Sequence, residues 1–142
     1  MAHIVVLGAG IGGMSAAYEL RAGLDRSHRI TLLGEGGMFS FTPSNPWVAV
    51  GWRQGADIQV DVEPYLRRKA IDFDGTGAQD LLPAQNQVRL RDGRVLDYDY
   101  LVITTGPRLA FDEIPGFGPD GHSHSVCTTD HAGAAWQAYQ RF

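Results

Sequence analysis

The chain has 142 residues, enough for one α/β domain, and its 44% hydrophobic and 20% charged residues suit a soluble globular core. A net charge of −4 offers no basic face for nucleic acid, and no apolar run approaches the roughly 18 residues of a membrane helix. No basic stretch precedes the first apolar run, so no signal peptide is expected; the lone Cys127 excludes an internal disulfide, and no metal site is expected.

The apolar run Ile4-Val5-Val6-Leu7 predicts a buried strand, and Gly8-Ala9-Gly10-Ile11-Gly12-Gly13 follows it directly, ahead of a helix-like stretch. In this G-x-G-x-x-G spacing Gly8 permits the turn out of the strand, Gly10 removes the side chain that would block a pyrophosphate, and Gly13 lets the helix approach the sheet. Phosphates would then meet free N–H groups and the positive end of the helix dipole. Ala17, four residues past Gly13, keeps that helix flat on its strand. A second run, Ile30-Thr31-Leu32-Leu33, is followed by Glu35, where a carboxylate would accept hydrogen bonds from ribose hydroxyls. A plain connecting turn and a solvated acid are the alternative, but they require no such register.

Farther on, Phe39 to Trp47 carries two prolines and no helical or strand period, and reads as an ordered binding loop or packed connector. A short helix is predicted from about Val62 to Lys69, then a weak strand at Ile71-Asp72-Phe73, interrupted by Asp74-Gly75-Thr76-Gly77. Val88-Arg89-Leu90 and Val95-Leu96 flank Asp92-Gly93, a hairpin signal because such turns need positive φ. Tyr98 to Ile103 is expected to form a buried strand ending in Thr104-Thr105-Gly106-Pro107. A helix from about Asp130 to Phe142 would place Ala132, Ala135, Trp136 and Tyr139 on one face. The residues alone read Cys127 as a small buried hydrophobe and His131 as an N-terminal helix residue making a local hydrogen bond.

This order of elements resembles the flavoproteins with two dinucleotide-binding domains, in which an N-terminal glycine motif binds the ADP part of FAD. Their later strand usually ends in Ala-Thr-Gly, and Thr104 stands here in place of the alanine. Within that group the chain resembles the N-terminal portion of sulfide:quinone oxidoreductases. The resemblance is carried by Val5 to Met14, Phe41 to Trp52 with its Pro-Ser-Asn-Pro-Trp sequence, Tyr98 to Pro107, and Ser125 to Ala132. It weakens between Asp74 and Gln85, where a hydrophobic strand would be expected, and Glu35 departs from many sulfide-oxidising relatives.

The resemblance implies an α/β, Rossmann-like FAD/NAD(P)-binding domain over residues 1–142, a parallel sheet with an inserted antiparallel hairpin, incomplete at its C-terminal side. It implies FAD held by Gly8, Gly10, Gly12, Gly13, Glu35 and Ala78, with Pro43, Ser44, Asn45, Thr105 and Gly106 lining the route to the flavin. It further implies an enzyme that passes two electrons from sulfide through FAD to a quinone. Cys127 matches the first of three characteristic cysteines, in an auxiliary sulfur role, and an imidazolium at His131, if both shared a helical face, would lower its thiol pKa. A second domain, the C-terminal segment that completes the FAD site, the quinone pocket and the peripheral membrane contact of the complete enzyme would lie in a missing part, so the isolated chain is expected to be inactive. The alternatives are a non-catalytic dinucleotide-binding module, whose open sheet edge would favour a homo-oligomer, and a type II NADH dehydrogenase.

Overall fold

A computed structural model describes all residues, Met1–Phe142. The chain forms two compact units, one of Met1–Phe39 with Asp61–Gly106 and the other of Ser40–Val60 with Pro107–Phe142.

The first unit begins with β1 (His3–Leu7), α1 (Ile11–Gly23) and β2 (Arg29–Leu33). β1 and β2 lie parallel, with Ile4 opposite Ile30 and Leu7 opposite Leu33. The chain leaves this unit along β3 (Met38–Ser40) and returns along β4 (Gln59–Asp61), two strands that pair with each other. Between them lies α2 (Asn45–Ala49), which belongs to the second unit. Then follow α3 (Glu63–Arg68), β5 (Asp72–Asp74), β6 (Ala78–Leu82), β7 (Gln87–Leu90), β8 (Val95–Asp97) and β9 (Tyr100–Ile103).

The parallel sheet runs β5-β2-β1-β9, and β6-β7-β8 form a separate antiparallel sheet. The expected hairpin is therefore one half of a three-stranded meander. Its turn is as the sequence indicates, with Gly93 at φ +87°. The weak Asp74–Gln85 region supplies the third strand, whose exposed positions and irregular pairing at Ala78/Asp80 explain its missing apolar signal.

Two cores follow from the alternation of side chains along a strand. Ile4, Val6, Ile30 and Leu32 face Ala17 of α1 together with Val62, Leu66 and Ile71. Val5, Leu7 and Leu33 pack instead against Val88 and Leu90 of the meander. The sheet is thus covered on both faces, which is why β1 and β2 read as unbroken apolar runs. α3 ends in a Schellman arrangement: Ile71 N–H donates to Leu66 O, Ala70 N–H donates to Arg67 O, and Ala70 takes φ +54°.

β9 corrects the expectation of a buried strand. It pairs only with β1 and forms a sheet edge, leaving Tyr100 65% and Ile103 58% exposed while Leu101 and Val102 reach the two cores.

In the second unit, the stretch read as a connector holds a 3₁₀ turn at Thr42–Ser44 and the short helix α2. Its prolines start helices rather than break them, because Pro43 and Pro46 occupy first-turn positions where no N–H is needed. α4 (Thr129–Arg141) packs through buried Ala132 against Val48 and Ile58. Tyr139 lies outside that face at 70% exposure, stacked on Trp136. No helix is long and apolar enough to cross a membrane.

Candidate functional site

The first unit gathers its expected residues at the C-terminal ends of β1, β2 and β9. β1 lies between the strand that follows it in the chain and the later β9, so its end is a topological switch point, where open α/β sheets bind ligands. The glycine turn occupies that place. Gly8 has φ +110°, and a Cβ there would stand 2.6 Å from the carbonyl oxygen of Thr104. A Cβ on Gly13 would overlap the carbonyl oxygen of Gly8, so α1 rests directly on the turn. Gly12 is less crowded, its Cβ position 3.7 Å from Thr104 Cβ.

Gly10 differs from these three. It is the N-cap of α1, in extended conformation, and nothing lies within 4 Å of where its Cβ would be. No side chain caps the helix, and the N–H groups of Ala9, Gly10, Ile11, Gly12 and Gly13 find no acceptor in the chain. Open space in front of a glycine and a row of free donors fit a diphosphate.

Glu35 lies just beyond β2, bridged to Thr76. Arg91 Nη2 donates to its Oε1 at 2.5 Å, and both side chains are more than half exposed. The carboxylate is thus oriented by the meander while Oε2 has no partner among the chain's hydrogen bonds. Beside it, Arg94 donates to Asp74, Asp92 and Thr76. Partial burial of Asp74 raises its pKa, but hydrogen bonds from Thr76 and then from Arg94 outweigh this and hold the carboxyl below its ordinary value. The folded state therefore binds this proton less readily than the unfolded chain. Its contribution to stability is complete above about pH 4 and fades as pH falls through the lower folded value. Asp74→Asn should accordingly flatten the acid limb of the unfolding midpoint measured against pH; an unchanged limb would remove Asp74 from that role.

Ala78 opens β6 and packs its methyl against the second core, so only its backbone is available to a ligand. Thr105 and Gly106 follow β9, both exposed, with Gly106 at φ +72° and open space at its Cβ position.

The second unit holds the remaining expected residues. Pro43 is exposed, whereas Ser44 and Asn45 are each 1% exposed. Thr129 Oγ1 donates to Asn45 Oδ1 at 3.4 Å, and Asn45 Nδ2 is buried without a partner. Such a donor is costly to leave unmet, by about 1–3 kcal/mol, and a ligand acceptor would remove that cost. Cys127 is exposed, which corrects the reading of a buried hydrophobe. α4 begins at Thr129 with Thr128 as its cap, so Cys127 lies outside the helix and shares no helical face with His131. The His131 backbone N–H donates to Thr128 Oγ1, the expected local bond, while its buried ring Nδ1 has no partner.

The sequence reading gave no site role to two residues. Thr104 forms the floor of the glycine turn, and its only sequence signal is its place where a neighbouring parallel strand ends. Arg91 meets Glu35 from 56 positions away and had no signal at all.

Glu35→Ala should weaken nucleotide binding by about 1–3 kcal/mol while changing unfolding stability by less than about 1 kcal/mol, since the ion pair it breaks is solvated. Titration of the flavin or of ADP checks this; unchanged affinity would leave Glu35 a partner of Arg91 alone.

The model of the pyridine nucleotide-disulphide oxidoreductase family matches residues 2–138. The chain is 42% identical over 130 residues to a sulfide-quinone reductase of Aquifex aeolicus, covering 92% of this chain and 29% of that protein. The X-ray structure of the sulfide:quinone oxidoreductase from the same organism superposes with a TM-score of 0.89 at 37% identity, over 99% of this chain and 32% of the other. NDH2 of Plasmodium falciparum in complex with NADH gives a TM-score of 0.76 at 22% identity, over 99% of this chain and 29% of that one, a likeness of fold alone. The chain therefore spans about three-tenths of the length of these proteins.

Proposed function

Because the chain belongs to the pyridine nucleotide-disulphide oxidoreductase family, we propose that it is the FAD-binding front of a sulfide:quinone oxidoreductase. The observation that carries this reading is the 42% identity to the Aquifex aeolicus sulfide-quinone reductase, which extends over 92% of the chain. The NADH-bound neighbour, at 22%, supports no more than a common fold.

In this reading the free N–H groups from Ala9 to Gly13 hold the FAD diphosphate, and the absent side chain of Gly10 gives it room. Glu35, steadied by Arg91, accepts hydrogen bonds from the ribose hydroxyls through its unoccupied oxygen. Asn45 Nδ2 offers its buried donor to a ligand acceptor, and Thr105 and Gly106 present backbone to the cofactor. FAD, when bound, supplies a two-electron acceptor. The overall exchange balances as hydrosulfide plus one proton plus quinone giving zero-valent sulfur plus quinol. Cys127, exposed outside the helix, is suited to carry that sulfur: addition of zero-valent sulfur to its thiolate gives a persulfide and needs no further oxidant.

The test is anaerobic mixing of the FAD-loaded protein, purified at its native length, with sulfide and separately with NADH. Loss of the flavin's visible absorbance with sulfide, and its return on adding quinone, is the expected result. Reduction by NADH but not by sulfide would overturn the sulfide assignment and leave the cofactor site in place.

A further inference from the structure

Thr104 is the one side chain that touches every packed glycine of the nucleotide turn. Its backbone N–H donates to Leu7 O at 2.8 Å, extending the β1–β9 ladder by one step. Its Oγ1 lies 2.9 Å from Leu7 O and 3.0 Å from Gly8 O, and donates to this pair of carbonyls. The same hydroxyl is 2.8 Å from where a Gly13 Cβ would be, and the side-chain carbons face Gly12.

The Gly8 carbonyl is the first that the β1–α1 turn takes out of the ladder, and it lies beneath α1 at Gly13. Its peptide unit also contains the Ala9 N–H. In a trans peptide these two groups point to opposite sides, and the chain has no cis bond. Holding the Gly8 oxygen toward Thr104 therefore turns the Ala9 N–H away from β9, and that N–H has no acceptor in the chain.

We propose that Thr104 is a positioning residue for nucleotide binding: its hydroxyl fixes the Gly8–Ala9 peptide so that the Ala9 N–H stays directed at the diphosphate. The inference rests on the FAD reading of the turn and goes beyond it, because the glycines alone permit the turn without selecting this peptide orientation. An alanine at this position would keep the ladder bond and lose the orienting one. Thr104 touches no cofactor; it acts through the backbone of its neighbour.

Apo-protein of native length, with Thr104 intact, replaced by Val or replaced by Ser, is titrated with FAD, and the amide chemical shift of Ala9, which reports the hydrogen bond to the Gly8 carbonyl of the same peptide, is followed in each apo form. Thr104→Val should bind FAD about ten-fold more weakly, equivalent to about 1.4 kcal/mol, with a displaced Ala9 amide shift. Thr104→Ser, which keeps the donor, should restore both. Should Thr104→Val fail to fold, Thr104→Ala removes the same hydroxyl without adding a methyl. Equal affinity in the Val and parent proteins overturns the role of Thr104 while leaving the FAD reading standing. Loss in both Val and Ser variants also overturns it, by assigning the effect to packing. A parent protein that binds no FAD overturns the FAD reading itself, and the inference with it.

Discussion

Gly10→Val should abolish FAD binding, by roughly a hundred-fold or more in affinity, in a protein whose apo form unfolds at nearly its original midpoint. The separation of the two effects follows from the geometry. Gly10 has φ −78° and ψ −169°, a conformation open to any residue, and its Cβ would meet nothing within 4 Å. Replacing glycine by valine at a helix N-cap costs about 1 kcal/mol at most, since glycine is itself only a fair cap. The added isopropyl group enters the one space bordered by the free N–H groups of the turn. A diphosphate cannot share that space, and the lost affinity corresponds to about 2.8 kcal/mol or more. The comparison must use apo forms, because bound cofactor adds its own stabilisation to the parent. Undiminished FAD affinity in the folded variant would remove the nucleotide from this turn.

Much of the fold around that turn was legible because the physics was local. β1 and β2 announce themselves as apolar runs, and burial on both faces of the sheet explains why they do not alternate. Gly93 marks its hairpin through the positive φ that the turn requires. What stayed hidden depended on partners distant in sequence or on position within the sheet. The exposure of Tyr100 and Ile103 comes from β9 pairing with β1 alone among these 142 residues, which its own residues do not encode. β6 was obscure because its side chains are largely exposed and the second core is built mainly by β7. The sequence placed the end of α3 at about Lys69, as the structure does, but the left-handed residue that closes it, Ala70 where glycine is favoured, gave no signal. The helix at Asn45–Ala49 was missed because two prolines and the lack of a helical period marked a loop or connector, although at a first turn proline is an initiator.

The candidate site divides in the same way. The glycines declared themselves by spacing, since each serves its own backbone. Glu35 also lay where the spacing put it, but its orientation comes from Arg91 on the meander, and no spacing rule reaches across that distance. Cys127 was misread because a lone cysteine is usually buried, whereas here it precedes the helix cap and remains exposed.

The glycine three positions beyond Gly10 should behave in the opposite way. Gly13→Ala, a single added methyl, should destabilise the apo-protein by about 3 kcal/mol, within reach of overpacking in a close-packed interior. Its Cβ would overlap the Gly8 carbonyl oxygen and stand 2.8 Å from Thr104 Oγ1. Neither neighbour can yield cheaply. The carbonyl belongs to backbone held by Thr104, and the Thr104 side chain is itself fixed by its bonds to Leu7 and Gly8. Relief requires α1 to lift from the sheet, which would loosen Ala17 from the core it shares with Ile4, Val6, Ile30 and Leu32. Gly133→Ala in α4 supplies the internal control, because that helical glycine has nothing within 4 Å of its Cβ position. There the same substitution should stabilise by about 0.5–1 kcal/mol, through helix propensity and the loss of unfolded-state freedom. Denaturant midpoints of both variants against the parent decide the matter. A Gly13→Ala protein as stable as the parent would mean that α1 does not rest on the turn, and the free N–H groups assigned to the diphosphate would lose their fixed frame.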